Sequence, residues 1–596
     1  MSSDSLVYDL SQMTEGSPQV FVKRDFLNLQ DQNNGNYSGN QLVLDTSQLA
    51  NSNKYMAYRE AYFAVPLLLT ATNGSTPLMT NPNDAATCCD RTFGLKSWFG
   101  SIIHSMSLDY AGTTIIQTTA LCSMWQQFGL LTTMSLQDVK TNGASIGFYP
   151  DTSDSWSYVP GDSPEGPGVT NNCNALGQQQ LTAVLGTGAL ANEGWAERCK
   201  QLAFDMSGIP GSRADGALPI VAQRSVAYNI LLQETAASQM RIGHVMAPTT
   251  PAQCWQAQQM AIIRLKDIHS FFSQVPLLKG VFMRLTLNLN QPSITLSRDA
   301  NGALLLASTT NPLGGVNPLF VAANLPRDTS LRSAAPSEVQ AIPGANGVFS
   351  AAAGASLILS LSVGSTVINS TQLATGFAKA GDIGRSVFLY VPAYTFNPTF
   401  EEAYLASPTK TIVYTDIYQY QTPESPNGAY NYLITNGIAN IKSVLVLPYF
   451  SIIAPGAAGA GAQAAPYQSP FDPAGCGPTS PLAHQANFNV VVAGQNMIYN
   501  TQQYTFEQYM NNLQGCNSVN ANLVDGLTSG LVSQYDFLQS YCYYYVNTSR
   551  MLPVDEAVPK SVQITGTNNS QRDIKFVVFV EYGVQVSVDV LTGARV

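Results

Sequence analysis

LDYAGTTIIQTTALCSMWQQF (residues 108–128) and VVVAGQNMIYNTQQYTFEQY (490–509) carry the same features in the same order. Each begins as a strand that ends in Ala-Gly: Ala111-Gly112 in the first copy, Ala493-Gly494 in the second. An apolar pair follows (Ile115-Ile116, Met497-Ile498), then Thr119 or Thr501. After spacers that differ by one residue comes an aromatic-x-Gln-aromatic group, Trp125-Gln126-Gln127-Phe128 or Phe506-Glu507-Gln508-Tyr509. The physical reading is a strand, a tight turn at a glycine that accepts positive φ, a second strand and a short amphipathic helix. The unit occurs once in each half, which predicts two similar domains in tandem.

Working outward, strand signals dominate. β-Branched and aromatic runs bounded by Gly, Pro and Asn predict strands at 61–69, 281–289, 356–363, 386–391, 411–420 and 575–582. Helices are expected to be few and short, near 123–133, 251–263, 265–274, 430–441 and 505–513. Residues 136–250 and 292–347 read as long loops, and 454–466 (APGAAGAGAQAAP) as a flexible Gly/Ala segment. Loops of such length are expected to carry contacts or function.

Hydrophobic residues make up 45% of the 596, enough for large cores, yet charged residues make up only 11%, against about 25% in ordinary soluble domains. Asn, Gln, Ser, Thr, Gly and Pro replace the missing charge. Such a surface suits burial against copies of itself, where charges are costly to desolvate; a secreted β-protein with polar loops has the same composition. The net charge is −10, and no basic run exceeds a pair such as Lys23-Arg24. Direct coating of nucleic acid is therefore not expected. The N-terminal MSSDSLVYDL lacks the pattern of a signal peptide, and no apolar run is long enough to span a bilayer. Nine irregularly spaced cysteines (Cys88, Cys89, Cys122, Cys173, Cys199, Cys254, Cys476, Cys516 and Cys542) argue against a disulfide framework and for reduced thiols. The sequons at Asn36, Asn73, Asn369, Asn547 and Asn568 are read as chance in an Asn- and Ser-rich chain.

No catalytic constellation emerges. None of His104, His244, His269 and His484 has metal-ligand spacing to another His or Cys. Asp267-Ile-His-Ser270 is not a triad, which is defined by geometry, and His269 is expected to cap or pack. Glu401-Glu402 and Asp555-Glu556 are adjacent, so they are poorly placed to flank a substrate bond. Cys88-Cys89 is neither a redox pair nor half a zinc site. The aromatic run Tyr541-Cys-Tyr-Tyr-Tyr545 has no interleaved Lys or Arg, so it reads as a strand buried on both faces rather than a base-stacking platform. We expect no catalytic, cofactor or metal site, and no enzyme.

Several stretches resemble the major capsid proteins of virophages and polinton-like viruses. They are Arg264-Leu-Lys-Asp-Ile-His-Ser-Phe-Phe272 with Pro276-Leu-Leu-Lys-Gly280 and the strand 283–290, then Tyr390-Val-Pro-Ala-Tyr-Thr-Phe-Asn-Pro-Thr-Phe-Glu-Glu-Ala-Tyr404 with Tyr414-Thr-Asp-Ile-Tyr418. Leu433-Ile-Thr-Asn-Gly-Ile-Ala-Asn-Ile-Lys-Ser-Val-Leu445 and Val558-Pro-Lys-Ser-Val-Gln-Ile-Thr-Gly-Thr567 extend the likeness, which covers roughly 55–135 and 255–596 and is strongest after 385. The resemblance implies an all-β double jelly roll, two tandem eight-stranded sandwiches with a few short helices and long loops. It implies an N-terminal arm at 1–50, a first roll at 51–405 and a second at 406–596, with the linker near Glu401 to Thr409. It also implies a virion subunit that forms homotrimeric, pseudo-hexameric capsomers in an icosahedral shell. Its partners would be neighbouring capsomers and penton and minor capsid proteins. The alternatives are a minor capsid or penton protein and a secreted glycan-binding β-sandwich. A secreted module would be expected to carry a leader and paired cysteines, and pentons tend to be single rolls.

Thiol counting in denaturant without reductant is expected to find nearly all nine cysteines reactive; three or four disulfides would overturn this reading.

Overall fold

A computed structural model of the chain describes residues 19–50, 52–72, 91–118, 120–153, 194, 198, 254–298, 304–323, 356–364, 386–451, 465–470, 472–481, 483–498, 503–514, 530–548, 557–570 and 572–595. The first half contains β1 (Phe21–Gln30), β2 (Gln41–Asp45), β3 (Tyr55–Met56), β4 (Tyr62–Thr72), β5 (Arg91–Leu95), β6 (Ile103–Tyr110), β7 (Thr113–Thr118), β8 (Cys254–Arg264) and β9 (Met283–Leu289). It continues through β10 (Ser293–Arg298), β11 (Leu304–Thr310), β12 (Leu319–Ala323), β13 (Ser356–Val363) and β14 (Phe388–Phe396). The second half contains β15 (Thr409–Gln421), β16 (Gly428–Ile438), β17 (Ile441–Phe450), β18 (Ala486–Val492), β19 (Gln495–Asn496), β20 (Tyr544–Asn547), β21 (Lys560–Asn568) and β22 (Ile574–Asp589).

The eight strands of the second half form two antiparallel sheets, β15-β22-β17-β20 and β16-β21-β18-β19. Counted from one to eight, the orders are 1-8-3-6 and 2-7-4-5, the arrangement of a jelly roll. The first half repeats it. β1-β14-β4-β8 is again 1-8-3-6, and β2-β9-β6-β7 is again 2-7-4-5. The chain is a double jelly roll. One addition distinguishes the first roll. Between its seventh and eighth strands, β10, β11 and β13 extend the larger sheet, with β13 taking the edge of β4 beyond the point where β14 leaves it.

Alternation explains the two layers. In β4, Phe63, Val65, Leu67 and Leu69 point into the first core. In β21 every second residue is buried, and in β22 the run from Phe576 to Val580 is buried on both faces, which marks a strand covered on both sides.

The repeated motif occupies equivalent places. Ala111-Gly112 joins the fourth strand of the first roll to its fifth, and Ala493-Gly494 does the same in the second. Both residues of each turn have positive φ (47° and 81°; 50° and 80°), the geometry of a type I′ hairpin. Even the outer contact is shared: Ala111 N donates to Phe282 O and Ala493 N to Ser561 O, each at 2.9 Å. A helix follows each hairpin, α1 (Cys122–Thr133) in the first roll and, further on, Phe506–Gln514 in the second.

The other expected strands are present, and the expected helices near 123–133 and 505–513 stand at 122–133 and 506–514. Five expectations are corrected. Residues 251–263 and 430–441 hold strands, not helices. The first is Gln- and Ala-rich, with good helix propensity, but β8 pairs along the whole of β4, and tertiary pairing wins. In the second, register shifts around Thr435 break the two-residue period that would have marked β16. The arm expected at 1–50 fails for 21–45, because β1 pairs with β14 and β2 with β9. The supposed loop at 292–347 holds β10 to β12, and the one at 136–250 opens with α2 (Leu136–Ile146), capped by a reciprocal Ser135–Asp138 box. The Gly/Ala segment 454–464 lies outside the described residues.

Nothing lies within 4 Å of a Cβ built on Gly112, so its requirement is purely conformational. Gly112→Ala is expected to lower stability by about 1–2 kcal/mol, whereas Ala111→Asn, which better tolerates positive φ, is expected to raise it by a few tenths to ~1 kcal/mol. Urea titration of both variants checks the signs.

Candidate functional site at the seam between the rolls

The helix α1 follows the first roll's hairpin and lies on the β15-β22-β17-β20 sheet of the second roll. Leu121, in the left-handed region at φ 64°, turns the chain into it. Trp125 packs on Phe579, with ring centroids 6.0 Å apart, and Phe128 packs on Tyr543 and Tyr545, both at 5.4 Å. Phe128, Phe579, Tyr543 and Tyr545 are buried, while Trp125 is half-buried. The sheet therefore has two apolar faces. Tyr543 and Tyr545 face the helix, and Tyr544, pointing the other way, meets Phe488 inside the second roll at 4.2 Å. The aromatic run 541–545 is thus covered from both sides, as its sequence implied.

Two short helices, α3 (Leu265–Ile268) and α4 (Ser270–Gln274), approach the edge of β15. His269 caps α4: its Nδ1 accepts from Phe271 N at 3.1 Å. The ring proton then sits on Nε2, 3.3 Å from Asp416 Oδ1. Asp416 also accepts from Ile417 N at 2.8 Å and from the Tyr582 hydroxyl at 3.2 Å. Ser270 Oγ donates to Thr415 O at 2.6 Å and accepts from Thr415 N. Asp267, sequence neighbour of this group, pairs instead with Arg264. His269 and Ser270 of the first roll thus join Asp416 and Thr415 of the second.

A second polar cluster was not foreseen. Lys96, fully buried, donates through Nζ to Ser469 O at 2.8 Å. Near it stands Asp472, also fully buried; its Oδ1 accepts from Ala474 N, and its Oδ2 has no partner among the described residues. Asp151 and Arg198 form a buried ion pair at 2.6 Å, and the Tyr541 hydroxyl donates to Asp151 O. Lys96, Asp151 and Arg198 come from the first half, Asp472 and Tyr541 from the second. Burial pushes the Lys96 ammonium down to about 8 and the Asp472 carboxyl up to about 7, each partly offset by the charge of the other. The one sequence signal was a lysine inside the apolar run Gly94-Leu95-Lys96-Ser97-Trp98-Phe99.

The remaining candidate residues stay apart. His104 lies beside Gly315, His484 bonds Phe537 O, and Glu401, on α5 (Pro398–Leu405), accepts from the Tyr55 hydroxyl. His244, Cys88, Cys89, Asp555 and Glu556 lie outside the described residues. Cys122, Cys476 and Cys542 are buried free thiols. Among the described residues no three His, Cys, Asp or Glu side chains form a metal-binding group, and no helix is long and apolar enough to cross a membrane.

No protein-family model matches the sequence, and no curated protein matches it. Solved structures do. A chain of the Sputnik virophage covers 98% of this chain over 89% of its own, at 12% identity and a TM-score of 0.44. The mavirus major capsid protein covers 100% over 94%, at 9% identity and 0.39. The Faustovirus major capsid protein covers 97% over 94%, at 8% identity and 0.40. Its structural neighbours are viral capsid proteins.

The raised carboxyl sets a pH signature. Between the ordinary carboxylate range and about 7 the folded chain holds a proton on Asp472 that the unfolded chain has released, so this group's contribution to stability falls as pH rises through that window. The difference in unfolding free energy between wild type and Asp472→Asn is therefore expected to fall from pH 4 to pH 7. Urea titrations at matched pH measure it; a difference that rises would refute the assignment.

Proposed function

We propose that this chain is the major capsid protein of an icosahedral DNA virus, a structural subunit without catalytic chemistry whose place is the virion. The observation that carries the reading is the duplication: one chain builds the same eight-strand order twice. Two similar lobes per subunit become six around a threefold axis, and a pseudo-hexagonal ring tiles a flat facet. The low charge supports it, because obligate interfaces are more apolar than ordinary surface. So do the sequence stretches that resemble virophage and polinton-like capsid proteins. In this reading the partners are two further copies of the chain, neighbouring capsomers, and penton and minor capsid proteins. Nucleic acid is not bound directly, since the net charge is −10 and the basic residues are scattered. A penton role fits less well, because the second roll has no use in a single-roll vertex protein.

Light scattering on folded protein is expected to give a stable trimer of three times 63.9 kDa, with a mass that barely changes with salt, and micrographs are expected to show six-lobed particles. A folded chain that stays monomeric would count against the assignment.

A further inference from the structure

The stretch Leu433-Ile-Thr-Asn-Gly-Ile438 belongs to β16, the edge strand of its sheet. Thr435 pairs with Val562 and Ile438 with Lys560, so Asn436 and Gly437 together face one residue, Ser561, and neither has a partner in the ladder. Both are exposed. The Asn436 carboxamide makes no hydrogen bond among the described residues. Gly437 N donates to Thr435 Oγ1 at 3.4 Å, longer than a usual N–H···O bond. Nothing lies within 4 Å of a Cβ built on Gly437.

An asparagine followed by glycine is open to attack by the backbone on its own side chain. Glycine has no Cβ to crowd the approach, and the asparagine backbone must turn until the glycine nitrogen reaches Cγ. Whatever pins the backbone therefore decides which pairs react. The described residues hold three other Asn-Gly pairs, and each is pinned. Asn34-Gly35, at φ 51° and 80°, is the centre of a turn closed by Asn36 N on Asn33 O at 3.0 Å. Asn142-Gly143 lies inside α2, with Gly143 buried and a Cβ there only 2.8 Å from Phe148 O. Gly428 pairs across the ladder with Asn568, which is buried and donates to Ser425 O and Arg572 O.

We propose that Asn436-Gly437 is a site of spontaneous covalent modification, where the folded chain converts the asparagine to an aspartyl or isoaspartyl residue without an enzyme. Gly437 N bonds to Cγ of Asn436. The Cγ–Nδ2 bond breaks, and ammonia leaves with the proton of the Gly437 amide. Water then opens the five-membered succinimide. Addition at Cγ gives the aspartyl residue. Addition at the main-chain carbonyl gives the isoaspartyl one, whose backbone runs through the side chain and is one carbon longer. One water is consumed and one ammonia released, with no change of oxidation state. The product adds one negative charge, taking the chain from −10 to −11. Thr435 and Ile438 keep their partners in β21, and the bulge between them already accommodates extra backbone. This chemistry does not depend on the capsid reading.

Incubating the full-length folded protein at neutral pH in water labelled with heavy oxygen, followed by peptide mapping, tests it. The same chain unfolded in guanidinium supplies the rates set by sequence alone, where all four pairs are expected to react comparably. In the folded chain Asn436 is expected to stay within a few-fold of that rate. Asn142 is expected to slow at least about tenfold, because it must wait for its helix to open. The Asn436 peptide should acquire one heavy oxygen and appear in two acidic forms, of which the isoaspartyl form is the signature of the ring. Gly437→Ala places a methyl group in open space, at a position outside the left-handed region. Its melting temperature should hold, while modification of Asn436 falls severalfold because the methyl crowds the attacking nitrogen. An Asn436 that reacts no faster than Asn142 in the folded wild-type chain would overturn the proposal, and that comparison needs no variant. Equal modification of wild type and a folded Gly437→Ala, with no isoaspartyl form, would mean hydrolysis by solvent and would overturn it too. None of these results bears on the capsid reading.

Discussion

Trp125 and Phe128 pressed against Phe579, Tyr543 and Tyr545 form the contact on which the arrangement depends. Without it the second roll would show water a sheet face as apolar as its interior. An exposed patch of that kind is an invitation to aggregate. Lys96, Asp472, Asp151 and Arg198 are buried as well, drawn from both halves of the chain, and Tyr541, two residues before Tyr543, donates to Asp151 O. Removing one member of such a group costs far more than the group contributes, because the remaining charge is left unpaired in a poor solvent for it. The cluster therefore penalises any misplacement of one half on the other.

Much of the fold was legible because it rests on short-range rules. Ala-Gly after a strand, then an apolar pair, then an aromatic-x-Gln-aromatic helix start is local information, and both copies fold as written. His269 was legible as a cap for the same reason. What misled was sequence whose local preference lost to distant partners. The Gln- and Ala-rich stretch at 254–264 becomes a strand because β4 offers a full-length edge. Strands β1 and β2 at 21–30 and 41–45, where the resemblance implied an arm, are drawn into both sheets by strands some 240 to 375 positions away. The buried charges were illegible because burial is a tertiary property; only the apolar setting of Lys96 hinted at it.

The insertion of β10, β11 and β13 keeps the two rolls from being interchangeable. Their strand orders agree, but the 1-8-3-6 sheet of the first roll continues through β13, β10 and β11 where that of the second stops. In the proposed trimer the six lobes would therefore be of two alternating kinds.

The order 1-8-3-6 has a further consequence in time. In each roll the last strand made lies between the first and the third. β1 begins at Phe21, and its partner β14 ends at Phe396. At about 5–20 residues per second of synthesis, β1 waits roughly twenty seconds to over a minute for the strand that pairs with it. During that interval its backbone donors and acceptors and the edge of β4 stand unpaired on the ribosome. Over that interval the open edges of β1 and β4 offer the nascent chain wrong partners as readily as right ones.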